Sequence, residues 1–187
     1  VLHAGGKFGG GGYKVSGGLH GVGASVVNAL SNWLEGEVKD GKHVYKQRFK
    51  RGVAECDIEI IGDTYEKGTA VLFKAVDRIF EIFNMNMILF LPLREQAFLN
   101  AGIRINFSDK RDPENERSEV LHYEGGVKSF VEYLHKKKEP IHPEVLYFSA
   151  RNGDSTAEVA MQYTDGYNEV ILSFANNIRT VDGGMHE

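Results

Sequence analysis

The glycine-rich segment before residue 24 constrains this chain more than any other feature. The stretch "YKVSGGLHGVG", residues 13–23, runs directly into the apolar-periodic stretch "ASVVNALS". Glycine is used where a chain takes positive φ or lets a ligand touch its backbone, and the first amides of a helix attract phosphate oxygens. The spacing fits a phosphate-binding loop or a flexible connector. It is not a P-loop, because no Lys-Ser or Lys-Thr follows the glycines, nor a dinucleotide fingerprint, because no suitable strand precedes them.

Composition narrows the class of protein. A chain of 187 residues with 42% hydrophobic content can bury one good core or two small ones. The net charge of -4 and the pI near 6.0 argue against a main nucleic-acid surface, and the basic run at residues 136–138 is expected to be a solvated helix end. The single Cys56 excludes an internal disulfide and is expected to be half-buried. Without a membrane-length apolar run or a signal peptide, a soluble cytoplasmic protein is expected.

The first half of the chain predicts one helix and an antiparallel sheet. Apolar residues recur at three- and four-residue steps from Leu19 to about Trp33, which predicts an amphipathic helix with one buried face. Apolar and polar residues then alternate around Asp40-Gly41, a two-residue hairpin signal. "CDIEIIG" and "GTAVLFKA" indicate further strands, so the helix is expected to pack on this sheet.

The second half predicts a helix from about Leu89 to Asn100, a strand pair "IRINFSD" and "SEVLHYE", and a helix in "GVKSFVEYLHKKK". Three strands are predicted after it: "EVLYFSA", "AEVAMQYT" and "EVILSFANNI". We place a domain boundary between residues 1–123 and 124–187, the second part being the truncated start of another domain. Because the chain starts without methionine and shows no sign of a natural terminus, we expect it to be an internal fragment.

Several motifs together carry a family resemblance. The motifs follow one another along nearly the whole chain in the order that the family shows. They are residues 1–31, "REQAFLNAGI", "DKR", "HYEGG", "FVEYL" and "ANNI-x-T-x-DGG-x-H". This set resembles the ATPase subunits of bacterial type II topoisomerases, DNA gyrase more closely than topoisomerase IV. The resemblance implies an α+β fold: a partial GHKL-type (Bergerat) ATPase sandwich over 1–123, then from 124 the start of a transducer domain with a ribosomal-S5-like α/β fold.

The resemblance also implies cofactors and partners. ATP and Mg²⁺ are the expected cofactors. The expected partners of the longer protein are the gyrase A-subunit, which cleaves the DNA strands in an A2B2 heterotetramer, DNA itself, and a second copy on ATP binding, with no membrane. Two other classes stay open: a chaperone-like nucleotide-binding module of the same fold, as in Hsp90, and a plain structural domain with a glycine linker.

Residues can be carried over from the family by motif. Gly6 and Lys7 would lie in a lid near the phosphates, Tyr13 would contact the nucleoside, and Thr69 would support the adenine. The backbone amides expected to wrap the triphosphate are those of Gly18, Leu19, His20, Gly21, Val22 and Gly23. Alternatives remain, because Lys7 could be a solvated lid charge, His20 a packing residue, and Thr69 an ordinary strand threonine.

The catalytic groups of the family are expected outside this sequence. The general base, the asparagine for magnesium and the aspartate that reads adenine would precede Val1, and the lysine for the γ-phosphate would follow Glu187. We therefore assign no catalytic residue and no metal ligand. Because phosphoryl transfer needs these groups together, this chain alone is expected to hydrolyse no ATP.

One segment departs from the family pattern. "NMNMILFLP", residues 84–92, stands where relatives carry an acidic, tyrosine-containing run, and Pro92 falls in the middle of the expected helix. Codons for Tyr-Glu-Tyr-Asp read out of frame encode Met-Asn-Met, which suggests a compensated frameshift; genuine divergence is the alternative. In either case we expect weakened local packing or an exposed apolar patch.

Overall fold

A computed structural model describes residues 21–76 and 89–180 of the chain. The chain divides into two compact units, Val1–Phe83 and Asn84–Glu187. The domain boundary placed at residue 124 lies within the second unit, where the ring of Phe98 stacks on Tyr123 and on Phe130. That boundary stays a prediction about the folding units of a longer protein.

In its described residues, 21–76, the first unit contains one short helix and a five-stranded sheet. Helix α1 spans Gly23–Ala29 and is followed by strands β1 (Ser31–Asp40), β2 (His43–Lys50), β3 (Val53–Ala54), β4 (Glu59–Asp63) and β5 (Lys67–Ala75). The strand order is β3-β2-β1-β5, and β4 also pairs with β2. All these pairings are antiparallel, as the alternating pattern predicts. The β1–β2 hairpin turns at Gly41, whose φ is 94°.

The helix predicted to run to Trp33 ends at Ala29, so that boundary is wrong. Strand β1 begins at Ser31, which pairs with Ala75, and Trp33 pairs with Lys74. The hydrogen bonds to a neighbouring strand replace those of another helical turn, and an apolar spacing of three to four residues cannot reveal this competition. The predicted buried face is also wrong, because no residue of α1 is buried and Val26 is 47% exposed.

The sheet has one apolar and one charged face. Paired residues on neighbouring strands point to the same face, and successive residues along a strand alternate. By this register the apolar face carries Leu34, Val38, Tyr45, Phe49, Val71 and Phe73. The charged face carries Glu35, Glu37, Lys39, Lys46, Arg48 and Lys74, together with Leu72. Polar and apolar residues are thus sorted by the period of two.

The described part of the second unit, residues 89–180, forms two helices and three hairpins. Its elements are α2 (Leu91–Leu99), β6 (Arg104–Asp109), β7 (Arg117–His122), α3 (Val127–Leu134), β8 (Leu146–Asn152), β9 (Ser155–Met161), β10 (Ser173–Ala175) and β11 (Ile178–Thr180). Strands pair antiparallel as β6–β7, β8–β9 and β10–β11. Both helices and the first two hairpins are where the sequence predicts them, with ends shifted by a few residues.

The described residues of the departing segment are partly buried and partly exposed. Phe90 is 2% exposed and forms a core cluster with Ala97 and Leu121, so the expectation of weakened packing is wrong at this residue. Its neighbours Leu89 and Leu91 are 41% and 39% exposed, in line with the alternative expectation of an exposed apolar patch. Pro92 lies in the first turn of α2, not in its middle, where a missing N–H leaves no hydrogen bond unmade. Residues 84–88 lie outside the described part, and the frameshift stays a hypothesis.

The third strand predicted after α3 is wrong. "EVILSFANNI" is not one strand, because Asn176 and Asn177 take positive φ values of 48° and 65° and reverse the chain between β10 and β11. Asparagine tolerates this left-handed conformation better than other non-glycine residues. The Asn-Asn dipeptide was therefore a turn signal inside an otherwise strand-like pattern.

Two expectations from composition can be compared with the structure. Residues 136–138 are exposed directly after α3, which confirms the solvated helix end. Cys56 is exposed rather than half-buried, because it lies in the bend between β3 and β4, where its carbonyl accepts a hydrogen bond from Gln47 Nε2 at 3.0 Å. None of the described helices is long and apolar enough to cross a membrane.

Candidate functional site

The described part of the glycine segment forms the entry to α1. Gly21 has a φ of 64°, a conformation that glycine adopts without strain. Val22 is the N-cap residue and makes no side-chain capping bond, and the first turn contains no acidic residue. A Cβ placed on Gly23 would meet nothing within 4 Å. Among the described residues, the first amides of α1 therefore have no capping side chain and no carboxylate in the first turn that would repel an anion.

The C-terminal end of α1 is fixed to the sheet. Ser31 Oγ donates a hydrogen bond to the carbonyl of Val27 at 2.6 Å, and Val76 N–H donates to the carbonyl of Leu30 at 3.1 Å. A Cβ placed on Gly52 would lie 3.5 Å from the Cα of Ala29, so the β2–β3 turn approaches the helix closely. These contacts hold the helix end at the point where β1 and β5 meet.

Thr69 lies on β5 opposite Val38 and is exposed. By register it shares the apolar face with Val71. Ala75 is the end of β5 that meets the end of α1. Thr69 lies six residues before it, a separation of about 20 Å along a strand. Both its role at the adenine and its alternative as a strand threonine stay predictions.

The other residues assigned to nucleotide binding lie outside the described part of the chain. They are Gly6, Lys7, Tyr13, Gly18, Leu19 and His20. Their roles stay predictions, as do those of Gly21, Val22 and Gly23.

The opposite face of the sheet is occupied by ion pairs. Lys46 lies 2.8 Å from Glu35 and Lys39 lies 2.7 Å from Glu66. The hydrogen bond from Lys39 holds the pKa of the Glu66 carboxyl below its usual range, and the same bond raises the pKa of Lys39. Exposed pairs of this kind are typical of a solvated surface and add little stability. A ligand of this sheet is therefore expected on the apolar face.

The two expected cofactors fit the described residues differently. The bare amides at the start of α1 suit phosphate oxygens, so the residues present fit the phosphate end of ATP. For Mg²⁺ they do not fit, because the described residues contain no group of three His, Cys, Asp or Glu that could hold a metal ion.

Sequence reasoning missed a charged cluster beside α2. The guanidinium of Arg94 lies 4.4 Å from the ring centroid of Phe90 and 5.0 Å from that of Tyr133. Arg94 also donates hydrogen bonds to the Tyr133 hydroxyl and to Glu119 at 3.1 Å. The guanidinium of Arg117 lies 4.1 Å from the ring centroid of Phe90, and Arg117 Nε donates a hydrogen bond to Glu119. Arginine suits such stacked, forked contacts, but no local sequence pattern reveals partners 25 and 39 residues away.

The chain is similar in sequence to bacterial DNA gyrase B-subunits. The sequence model of the DNA gyrase B family matches residues 126–187. The DNA gyrase B-subunit of Staphylococcus aureus is 52% identical over 190 residues, covering 100% of this chain and 29% of that protein. The DNA gyrase B-subunit of Clostridium acetobutylicum is 52% identical over 188 residues with the same coverage.

Solved structures agree with the sequence relatives. The 43K ATPase domain of Thermus thermophilus gyrase B, in complex with an aminocoumarin, superimposes with a TM-score of 0.77 at 37% identity, covering 89% of this chain and 45% of that one. The B-subunit of the DNA gyrase from Myxococcus xanthus gives a TM-score of 0.74 at 25% identity, covering 85% and 47%.

These matches define the class of protein. The chain has an α+β fold that consists of a partial GHKL-type ATPase sandwich followed by the start of a transducer domain. Within that class the chain belongs to the DNA gyrase B family, which confirms the resemblance inferred from the motifs. The chain spans 29% of the length of the curated relatives it matches.

Proposed function

We propose that this chain is part of the ATP-binding and ATP-hydrolysing region of a gyrase-like type II DNA topoisomerase. The observation that carries the proposal is the 52% identity to the gyrase B-subunit over the entire chain. It supports this function over a chaperone-like nucleotide-binding module of the same fold. In the longer cytoplasmic protein, ATP binding would close a dimer and drive DNA strand passage together with the gyrase A-subunit.

The chain's own residues would bind and orient the nucleotide. The amides from Gly18 to Gly23 would hold the triphosphate, Gly6 and Lys7 would cover it, and Tyr13 and Thr69 would contact the nucleoside. ATP would supply a γ-phosphate for hydrolysis and binding energy for closure, because lid and transducer contacts to the triphosphate favour the closed state. Mg²⁺ would be held by residues elsewhere in the longer protein.

The glycines at the start of α1 provide the test. In the full-length gene product, Gly21→Ala and Gly23→Val should weaken binding of a fluorescent ATP analogue at least about tenfold, since a Cβ strains the positive φ of Gly21 and side chains at both positions crowd the phosphates. Gly62→Ala is the matched control, because its Cβ would meet nothing within 4 Å. Unchanged affinity in both α1 variants, or a wild-type product that binds no ATP, would contradict the proposal.

A further inference from the structure

Three side-chain amides join the end of α2 to the turn between β10 and β11. Gln96 Nε2 donates a hydrogen bond to the backbone carbonyl of Asn177 at 2.7 Å. Asn177 Nδ2 donates to Asn100 Oδ1 at 2.9 Å, and Asn100 Nδ2 donates back to the Gln96 carbonyl at 2.8 Å. Gln96 and Asn100 are one helical turn apart and so lie on one face of the helix. The turn is thus bonded both through its backbone and through its side chain.

The hairpin needs such an attachment to hold one orientation. Strands β10 and β11 share only three residue pairs, and a two-stranded hairpin this short is at best marginally stable by itself. Phe174 of β10 lies 6.3 Å from the ring of Phe130, which stacks at 4.9 Å on Phe98 of α2. Apolar contacts are non-directional, so the hydrogen bonds at Asn177 are what fix the rotation of the hairpin on the helix.

The contact crosses the predicted domain boundary. Helix α2 lies before residue 124, in the predicted ATP-binding part, and the hairpin lies after it, in the predicted transducer part. Asn177 is 81 residues from Gln96 and 77 from Asn100. A movement of α2 can therefore reach the hairpin through these bonds without passing along the intervening chain.

We propose that Asn177 is a positioning residue that fixes the β10–β11 hairpin on α2 and so couples the nucleotide state of the ATP-binding part to movement of the transducer part. This rests on the proposed function. Asn177 acts through Gln96 and Asn100 and need not touch the nucleotide or DNA. Loss of the Asn177 side chain should uncouple ATP hydrolysis from strand passage. It should not abolish either reaction by itself.

A matched pair of variants tests the proposal. Both Asn176 and Asn177 have positive φ. Substitution by glycine therefore relieves backbone strain at both positions alike, so a difference between the two variants comes from the side chains. Asn177→Gly removes the bond to Asn100, whereas Asn176→Gly changes an exposed side chain of the same turn. In the full-length product combined with the gyrase A-subunit, we expect Asn177→Gly to lower the number of supercoils introduced per ATP hydrolysed by about fivefold or more. Asn176→Gly should leave this ratio within about twofold of wild type.

The ratio separates positioning from mere folding. A smaller fraction of folded enzyme lowers supercoiling and hydrolysis together, so it leaves their ratio unchanged. If Asn177→Gly is not recovered as folded protein, Asn100→Ala removes the same bond from the helix side and should lower the ratio as much; the double variant should add little further. Equal ratios for wild type and for Asn177→Gly or Asn100→Ala would overturn the proposal. A wild-type product that neither hydrolyses ATP nor supercoils DNA would overturn the proposed function itself.

Discussion

At the scale of single residues, the turns of this chain are held by acidic side chains that cap backbone amides. Asp40 Oδ1 accepts hydrogen bonds from the backbone N–H groups of Lys42 at 2.7 Å and His43 at 2.8 Å. The bonds from His43 and Lys42 hold the pKa of the Asp40 carboxyl below its usual range. Asp109 shows the same effect from a different donor, since its side-chain bonds with Arg111 lower its pKa.

Asp40 should make the β1–β2 hairpin sensitive to acid. Its folded-state pKa is lowered, so its stabilisation is present above the unfolded value of about 3.9 and is lost as pH falls through the folded pKa. The side-chain oxygen of Asp40→Asn still accepts both bonds but carries no charge. The melting temperature of this variant should therefore lie below that of wild type at about pH 7 and approach it at about pH 3. Thermal melting across this range measures the difference, with Asp57→Asn at an exposed position as the control. A gap between wild type and Asp40→Asn that stays constant with pH would contradict this.

At the scale of elements, the sequence predicted most helices and strands but not where competing hydrogen bonds end them. The hairpin at Gly41 and the strand pair β6–β7 were predictable because turn residues and a period of two are local signals. The end of α1 was not, because pairing of Ser31 with Ala75 depends on a strand more than 40 residues away. For the same reason the glycine entry to α1 was predictable, whereas the partners of Arg94 and Asn177 were not.

Helix α3 begins at a glycine whose replacement by any other residue should destabilise the fold. Gly126 is its N-cap residue, with φ 58° and ψ -132°, a region that is unfavourable for residues with a Cβ. A Cβ there would also lie 3.4 Å from the Cβ of Ala101. Gly126→Ala should lower the free energy of unfolding by about 1–3 kcal/mol, measured by urea titration. Gly166→Ala, at an exposed loop position in the same unit, should change it by less than about 0.5 kcal/mol; equal losses in the two variants would contradict the argument.

At the scale of the whole molecule, the sheet of the first unit leaves its apolar face open to solvent in the described part of the chain. Val71 is 57% exposed and Phe73 50%, although the register pairs Phe73 with the buried Leu34 and places Val71 on the same face. Antiparallel sheets ordinarily bury the face that carries their apolar residues. The gyrase B relatives are more than three times as long as this chain, so under the proposed function other parts of the longer protein would cover this face.

The 187-residue chain should therefore self-associate through this face. Phe73→Thr removes a large apolar side chain from it and should lower the association constant about tenfold, the equivalent of burying part of one phenylalanine. Leu72→Thr is the matched control, because the neighbouring Leu72 is 60% exposed on the charged face and should change the constant by about twofold or less. Sedimentation velocity over a range of concentrations measures both, and cooling should weaken the association because hydrophobic burial weakens on cooling. Equal effects of the two substitutions, or a wild-type chain that stays monomeric throughout, would mean that the apolar face is not what holds the copies together.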